Sequence, residues 1–193
     1  MNAYDFDHCI YAGDCTIDFY RYCLKKDTSL LRFLPRQIWG LVLYAFGFIQ
    51  KTAFKERFFC FLQGLEDRDA LISAFWATHK EKIYGWYLER QNENDLIISA
   101  SPEFLLKPIC DILGVKHLIA SRVDPETGSF SGENNYGAEK PRRLMADMGL
   151  DSEDSFYSDS LSDSPMAQIA KTSFMVRHGV LTPWSEFHPS AME

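Results

Sequence analysis

Two carboxylates near the N-terminus have a spacing that suits metal-assisted phosphoryl transfer. Asp5 and Asp7 flank Phe6 in a segment with strand character, where side-chain alternation points both carboxylates to the same side of the chain. Such a pair can share a Mg²⁺ ion with waters and a substrate phosphate. One carboxylate can attack phosphorus, while the other, when protonated, can give its proton to the leaving oxygen. The pair therefore predicts chemistry on a phosphate ester.

Three further clusters fall at or after the ends of predicted strands and complete a phosphoryl-transfer site. Ser99 ends an apolar run before Pro102, so its hydroxyl and the following helix N-terminus can hold phosphate oxygens. Lys140 can neutralise charge that develops on the phosphoryl group, and Asp159 can complete a metal site with Asp163 nearby. Each cluster alone is more commonly a helix cap, a surface charge or a turn. Their order and joint placement carry the prediction.

Strands and helices that could position these residues are predicted at the N-terminus and, in alternation, from residue 95 onward. The predicted strands are 2–6, 95–99, 117–121, 155–158 and a last strand at 173–176, and the predicted helices are 102–113, 138–148 and 164–170. Strands that alternate with helices imply a parallel sheet covered by helices on both faces. In such sheets, ligands bind at the carboxyl ends of the strands.

Between the first two predicted strands, the chain is helical in character and rich in Leu, Phe, Lys and Glu. We therefore predict an α/β fold, with a three-layer Rossmann-like parallel sheet core and an inserted helical cap. The core comprises residues 1–14 and 92–193, and the cap comprises residues 15–91. The cap is expected to cover the carboxyl ends of the strands.

Composition narrows the class of protein and of partner. The net charge of -7 argues against nucleic acid as a partner, because nucleic-acid binders usually carry a basic face. The five cysteines have no disulfide-framework or metal-site spacing, which favours reduced thiols and a cytoplasmic location. We expect a small phosphorylated substrate and a monomer or homodimer.

No segment is predicted to be a signal peptide or an integral membrane helix. Acids at positions 5, 7 and 14 interrupt the first residues, where a signal peptide needs an apolar stretch. The longest apolar run, residues 38–49, is shorter than the roughly 20 residues that span a bilayer. It predicts a buried or interfacial helix.

The motif set resembles the haloacid dehalogenase superfamily, and within it the phosphoserine-phosphatase-like branch, subfamily IB, with a helical C1-type cap. The resemblance spans nearly the whole chain. It is carried by Asp5-Phe6-Asp7, by residues 97–103 (IISASPE) and 136–140 (YGAEK), and by the acidic pair Asp159 and Asp163. Order and spacing agree as well as residue identity.

The resemblance implies a role for each motif residue. Asp5 would be the nucleophile, Asp7 the general acid and base, and Ser99 and Lys140 the phosphoryl-binding residues. The reaction would pass through an aspartyl phosphate intermediate, with Mg²⁺ as the cofactor. The implied metal-site residues are Asp5, Asp7 (also through its backbone carbonyl), Asp159 and Asp163.

Two departures from the family pattern leave the activity open. The threonine of the first motif is Cys9, a weak thiol donor, and Ser162 stands where related phosphatases often carry asparagine. A non-catalytic phosphate-binding protein is therefore an alternative to an enzyme. Phosphotransfer to an acceptor other than water would use the same residues and is a third possibility.

The cap leaves two substrate classes open. Asp14 and Arg57 lie near positions where phosphoserine phosphatases hold the substrate amine and carboxylate, which favours a phosphoserine-like metabolite. The cap is also dense in aromatic residues, which can form core, line an apolar pocket or contact a membrane surface. That alternative favours a lipid phosphate similar to phosphatidylglycerophosphate. The aromatic residues are Trp39, Tyr44, Phe46, Phe48, Phe54, Phe58, Phe59 and Phe61.

Overall fold

The computed structural model describes residues 1–187, which form a six-stranded, mostly parallel sheet with helices packed against it. The strands are β1 (Asn2–Tyr4), β2 (Leu96–Pro102), β3 (His117–Ser121), β4 (Glu153–Ser158), β5 (Ala170–Arg177) and β6 (Val180–Pro183). Their spatial order is β3-β2-β1-β4-β5-β6, and β1 to β5 are parallel. The predicted α/β class is confirmed.

The prediction that the strand at 173–176 is the last one is wrong. β5 is longer than predicted, and β6 returns antiparallel beside it, with Val176 paired to Leu181. The connection is a tight turn at His178 and Gly179, both of which have positive φ angles. Glycine adopts this backbone conformation without steric cost, so the chain can reverse within two residues.

Five helices lie between β1 and β2, in the stretch 15–91 predicted to be the cap, and we use the word cap below only as a name for this stretch. They are α1 (Cys15–Lys26), α2 (Leu34–Ala45), α3 (Lys51–Phe58), α4 (Arg68–His79) and α5 (Gly85–Leu88). Asp14 begins α1, because its carboxylate accepts a hydrogen bond from the Ile17 amide at 2.9 Å. A 3₁₀ segment, Phe59–Gly64, continues α3 toward the core.

Three helices follow β2: α6 (Glu103–Leu113), α7 (Glu139–Met148) and α8 (Ser164–Ile169). Gly114 and Gly149 end α6 and α7 in the left-handed conformation that glycine favours. These helices agree with the predicted ones to within one residue at each end.

The hydrophobic core has two parts because strand alternation sends neighbouring side chains to opposite faces of the sheet. Tyr4 and Ile97 belong to the larger cluster, which also contains residues of the cap, while Ala3 and Phe156 belong to the smaller one. The indole of Trp76 in α4 donates a hydrogen bond to the Leu105 carbonyl at 2.7 Å. The larger cluster is therefore common to the cap and one face of the sheet. All five cysteines are buried free thiols.

The apolar run at 38–49 forms most of α2 and the turn after it, and it is mainly exposed. Ile38, Trp39 and Leu41 face solvent, as do Phe46 and Phe48 beyond the helix. The prediction of a buried helix is therefore wrong, and the alternative of an interfacial helix stays a prediction. Among the helices of residues 1–187, none has the length and apolarity needed to cross a membrane.

Glu153 makes the stability of the fold depend on pH. Both of its carboxylate oxygens are buried without a hydrogen-bond partner at the start of β4, and burial raises the pKa of Glu153 to about 8. Between its unfolded-state pKa and pH 8, the folded protein binds more protons than the unfolded chain, so stability falls as pH rises. We expect Glu153→Gln to raise the free energy of unfolding by about a few kcal/mol at pH 8. This is the size of effect that the raised pKa of Glu153 implies.

Thermal unfolding of the Glu153→Gln variant at pH 5 and pH 8 measures this effect. The stabilisation should nearly vanish at pH 5, where the carboxyl is protonated in the folded state. Glu126→Gln, in an exposed turn, is the control and should change little at either pH. Equal stability of the parent and the Glu153 variant at pH 8 would contradict the prediction.

Candidate active site

The carboxyl ends of three neighbouring strands bring predicted site residues to one edge of the sheet. β1 lies between β2 and β4, and Asp5 directly follows it, held by a hydrogen bond from its amide to the Tyr157 carbonyl at 2.8 Å. Ser99 lies within β2, and Asp159 directly follows β4. Since parallel strands end at the same edge, these side chains converge although they are far apart in sequence.

A cavity of about 300 Å³ opens at this edge, between the sheet and the cap. The core contributes acidic, hydroxyl and lysine side chains to its lining, and the cap contributes lysines and aromatic rings. The lining includes Asp5, Asp7, His8, Asp14, Thr16, Lys51, Phe54, Lys55, Phe58, Phe59, Ser99, Ser101, Tyr136, Lys140, Asp159, Ser160, Ser162 and Asp163. Each predicted site residue except Arg57 therefore reaches this cavity.

Lys140 bridges two carboxylates at the base of the cavity. Its Nζ atom lies 3.2 Å from Asp5 Oδ1 and 2.7 Å from Asp163 Oδ2. Burial of Lys140 favours the neutral amine, but Asp5 and Asp163 outweigh it and raise the pKa of Lys140. The ammonium is therefore kept charged. Gly137, with φ of 58°, turns the chain just before α7, and Lys140 lies in the first turn of that helix.

Asp5 is oriented by its own backbone as well as by Lys140. Its Oδ1 atom accepts a hydrogen bond from the Phe6 amide at 2.8 Å. Burial raises the pKa of Asp5, and Lys140 opposes that shift. Asp5 Oδ1 is thus held in place, and the carboxylate faces a cavity large enough for a phosphate group.

Only one of the two carboxylate oxygens of Asp163 has hydrogen-bond partners. Its Oδ2 atom accepts hydrogen bonds from Lys140 Nζ and from Ser158 Oγ, each at 2.7 Å. Its Oδ1 atom is buried and has no hydrogen-bond partner. A buried carboxylate oxygen without a partner is costly, which makes this a position suited to a cation or to a bound water.

Asp7 has the environment of a general acid. Its Oδ2 atom accepts a hydrogen bond from Ser101 Oγ at 2.5 Å, and its Oδ1 atom accepts one from the Cys15 amide at 2.7 Å. Burial, followed by the charge of Asp14, raises the pKa of Asp7 to about 6. A carboxyl group that titrates near neutral pH can both give and take a proton.

Ser101 is a site residue that the sequence analysis missed. Besides contacting Asp7, its hydroxyl lies 3.0 Å from Thr16 Oγ1, and its amide donates to Ser99 Oγ at 3.1 Å. A signal was available, because Ser99 and Ser101 are two residues apart in a predicted extended segment, and both line the cavity, as Asp5 and Asp7 do.

Lys55 is a second missed residue and ties the cap to the core. Its Nζ atom donates hydrogen bonds to the Ala100 carbonyl and to Asn134 Oδ1, each at 2.8 Å. Burial lowers the pKa of Lys55 to about 8, and nearby Lys51 acts in the same direction. Lys51 also lines the cavity, with its ammonium 3.3 Å from the ring centre of Tyr136. The cap therefore presents two cationic side chains to the cavity.

Asp14 and Arg57, the predicted substrate-recognition pair, are not brought together. Asp14 lines the cavity, but its carboxylate already caps α1 through the Ile17 amide. Arg57 does not line the cavity, because the opposite side of α3 carries it against α2, where its aliphatic stem packs on Gly40. A carboxylate in the cavity would meet Lys51 or Lys55 before Arg57.

The donor set for a metal ion is small. Asp5 and Asp159 each present a carboxylate to the cavity, and burial raises the pKa of Asp159 while His8 opposes the shift. Within residues 1–187, no group of three or more His, Cys, Asp or Glu side chains is close enough together to hold a metal. Mg²⁺, which commonly uses one or two carboxylates with waters and substrate phosphate, still fits this donor set.

Known proteins share this fold and part of this sequence. A family model described as haloacid dehalogenase-like hydrolase matches residues 3–168. A solved structure of a Bordetella pertussis protein of unknown function gives a TM-score of 0.72 at 20% identity, over 90% of this chain and 87% of that one. A phosphoserine phosphohydrolase-like protein from Francisella tularensis gives 0.53 at 17% identity, over 89% and 84%. At these identities the likeness concerns the fold.

A sequence relative covers a smaller part. A probable phosphatase of Mycobacterium tuberculosis is 38% identical over 80 residues, which make up 38% of this chain and 28% of that protein. The aligned region thus spans less than a third of the relative.

Proposed function

The chain belongs to the haloacid dehalogenase-like hydrolase family, and we propose that it is a Mg²⁺-dependent phosphomonoester hydrolase with Asp5 as its nucleophile. The observation that carries the proposal is the arrangement around Asp5: Lys140 at 3.2 Å, and Asp7, Ser99 and Asp159 in the same cavity. These groups supply a nucleophile, a proton donor, a cation and phosphate-binding donors. Together they match the needs of phosphoryl transfer.

The first step transfers the phosphoryl group to the protein. An Asp5 carboxylate oxygen forms a bond to phosphorus, and the bond between phosphorus and the ester oxygen breaks. Asp7 gives its proton to the departing oxygen, so the product leaves as an alcohol. Lys140 and the Ser99 hydroxyl balance the charge on the phosphoryl oxygens.

The second step restores the enzyme. Asp7, now ionised, takes a proton from a water molecule that attacks phosphorus. The bond between phosphorus and Asp5 then breaks, which releases inorganic phosphate and regenerates the carboxylate. Ser101 and the Cys15 amide keep the Asp7 carboxyl in one orientation for both proton transfers.

The residues that would hold Mg²⁺ are the carboxylates of Asp5 and Asp159 and the backbone carbonyl of Asp7. Asp163 supports this end of the cavity, with its unpartnered buried oxygen available to a bound water. When bound, the ion supplies positive charge to the phosphoryl oxygens. The two carboxylate ligands are supported by their donor chemistry and their place in the cavity, and the carbonyl ligand is implied by the family resemblance.

Two kinds of substrate follow from the lining of the cavity. Lys51 and Lys55 favour a small metabolite with an additional anionic group, such as phosphoserine. The rings of Phe54, Phe58 and Phe59 favour a second candidate, a phosphomonoester with an apolar substituent such as a lipid phosphate.

A panel of phosphomonoesters, measured with Mg²⁺ and with a chelator, tests the proposed function. It should include an aryl phosphate, phosphoserine and a short-chain lipid phosphate. We expect phosphate release that requires Mg²⁺. Binding of phosphate esters without any release across the panel would instead identify a non-catalytic binding protein.

The role of Asp7 predicts a dependence on the leaving group. Asp7→Asn should lower the rate with an alkyl phosphate about 10²- to 10⁴-fold, because the alkoxide then leaves without a proton. With p-nitrophenyl phosphate, the variant should still show a rapid burst of nitrophenolate equal to the enzyme concentration, followed by slow turnover. Rapid-mixing kinetics measure the burst. Equal loss of the first step with both substrates would contradict the assignment.

A further inference from the structure

The cap carries an exposed apolar surface that the proposed chemistry does not use. Its centre is α2 and the turn after it, where Trp39, Phe46 and Phe48 are 61%, 74% and 76% exposed. Phe46 and Phe48 lie side by side, with ring centres 6.5 Å apart. We call this surface the apolar tip, defined by the exposed residues Leu31, Leu34, Ile38, Trp39, Leu41, Val42, Tyr44, Phe46 and Phe48.

The first part of the apolar tip forms one groove. Leu31 and Leu34 line a groove of about 460 Å³ with Pro35, Ile38 and Trp39, so the start of α2 and the residues before it are continuous. A surface of this extent is unusual on a soluble protein unless something covers it.

Charge favours a lipid surface as the occupant. Residues 37–50 contain no charged side chain, and basic residues flank them, with Arg32 and Arg36 before and Lys51 after. Arg32 and Arg36 are exposed, whereas the three later basic residues lie at the cavity or pack against α2, and the net charge of the chain is -7. An apolar surface rich in Trp, Phe and Leu with a basic border is the pattern of a segment that lies in the interface of an anionic membrane.

The same charges disfavour a second copy of this chain. In a twofold dimer the same patch meets itself, so Arg32 and Arg36 of each copy would approach a border of like charge. Like charges opposed in an interface are costly. An anionic bilayer offers both an apolar interior for the rings and negative head groups for the arginines.

The apolar tip also connects to the candidate active site. The ring of Tyr44, at the tip, stacks on Phe54 with the centroids 5.2 Å apart and the planes at 13°. Phe54 in turn lines the cavity that contains Asp5. An aromatic path therefore runs from the exposed surface to the wall of the cavity.

We propose that the apolar tip docks this protein on an anionic lipid bilayer, with the rings of Trp39, Phe46 and Phe48 in the interface and the arginines on the head groups. Docking at the membrane surface needs no spanning helix. It also does not depend on the proposed hydrolysis, so vesicles without any phosphomonoester test it separately.

Vesicle flotation of the full chain tests the proposal. The probes are vesicles of phosphatidylcholine alone and of phosphatidylcholine with about 30% phosphatidylglycerol, whose head group is a phosphodiester and supplies the anionic surface. We expect binding to the anionic vesicles that weakens at high salt. The triple variant Trp39→Ser, Phe46→Ser, Phe48→Ser should bind at least about tenfold more weakly.

Two further variants test the contribution of the arginines and the specificity for the apolar tip. Arg32→Gln with Arg36→Gln should lower binding to the anionic vesicles about tenfold or more, at roughly one kcal/mol of attraction for each charge. The double variant Ile112→Ser, Val180→Ser removes two exposed apolar side chains outside the tip. This variant should bind vesicles as the parent does. Circular dichroism and hydrolysis of a soluble aryl phosphate report whether each variant is folded.

Three results would overturn the proposal. These are no binding of the parent protein to anionic vesicles, unchanged binding of the triple variant, or equal losses in the tip and control variants. Sedimentation equilibrium adds a further test. A dimer that the triple variant abolishes, without vesicle binding by the parent, would assign the tip to a second copy of the chain.

Discussion

Replacement of Asp5 by asparagine is expected to lower Mg²⁺-dependent phosphate release from an aryl phosphate at least about 10³-fold. The amide has nearly the size of the carboxylate and can still accept the hydrogen bond from the Phe6 amide. It lacks the negative oxygen that attacks phosphorus. The loss should therefore appear in kcat, measured by the release of inorganic phosphate.

The control for Asp5→Asn removes an equal charge away from the cavity. Asp111, 59% exposed in α6, can be replaced by asparagine, and this variant should keep the parent rate. The Asp5 variant should unfold no more readily than the parent, because it removes one buried charge from a cluster of carboxylates. Full activity of folded Asp5→Asn protein would exclude Asp5 as the nucleophile.

Replacement of Lys140 by methionine should remove activity and also destabilise the fold. The side chain is 1% exposed, and its loss leaves the Asp5 and Asp163 carboxylates buried without their cation. Breaking a buried ion pair on one side typically costs about 3–5 kcal/mol. Denaturant unfolding measures this change, and phosphate release measures the activity.

A second substitution separates the two effects of Lys140. Adding Asp163→Asn to Lys140→Met removes one of the uncompensated charges, so part of the stability should return while activity stays low. Lys107→Met, at an exposed position in α6, is the matched control and should change stability by less than about 1 kcal/mol. A Lys140→Met protein as stable as the control would contradict the bridging role.

Much of the fold is readable from sequence where local patterns and burial agree. The boundaries of β3 match the prediction, because an apolar segment between a glycine-terminated helix and a turn leaves little freedom. β6 is not predictable in this way, since its four residues include Thr182 and Pro183 and form a strand only by pairing with β5. The sequence does not decide whether α2 is buried, because its apolar residues surround the helix and do not define a buried face.

The site is predictable to the extent that it lies on strands or directly after them. The predicted strand at 2–6 is too long, because β1 ends at Tyr4, yet Asp5 and Asp7 both line the cavity as the predicted alternation requires. Helical residues are harder to assign. Lys55 and Arg57 are two positions apart on α3, which puts them on different sides of the helix, and only packing against α2 decides which one meets the cavity.

Asp5 follows the central strand of the sheet, whereas the aromatic and cationic walls belong to an insertion in another layer. Strands paired on both sides hold β1, so the proposed nucleophile is anchored independently of residues 51–59. Natural variation in the insertion can thus alter which molecules are accepted while the reacting atoms stay where they are. The position of the proposed reacting group and the shape of the substrate wall are therefore set by separate parts of the chain.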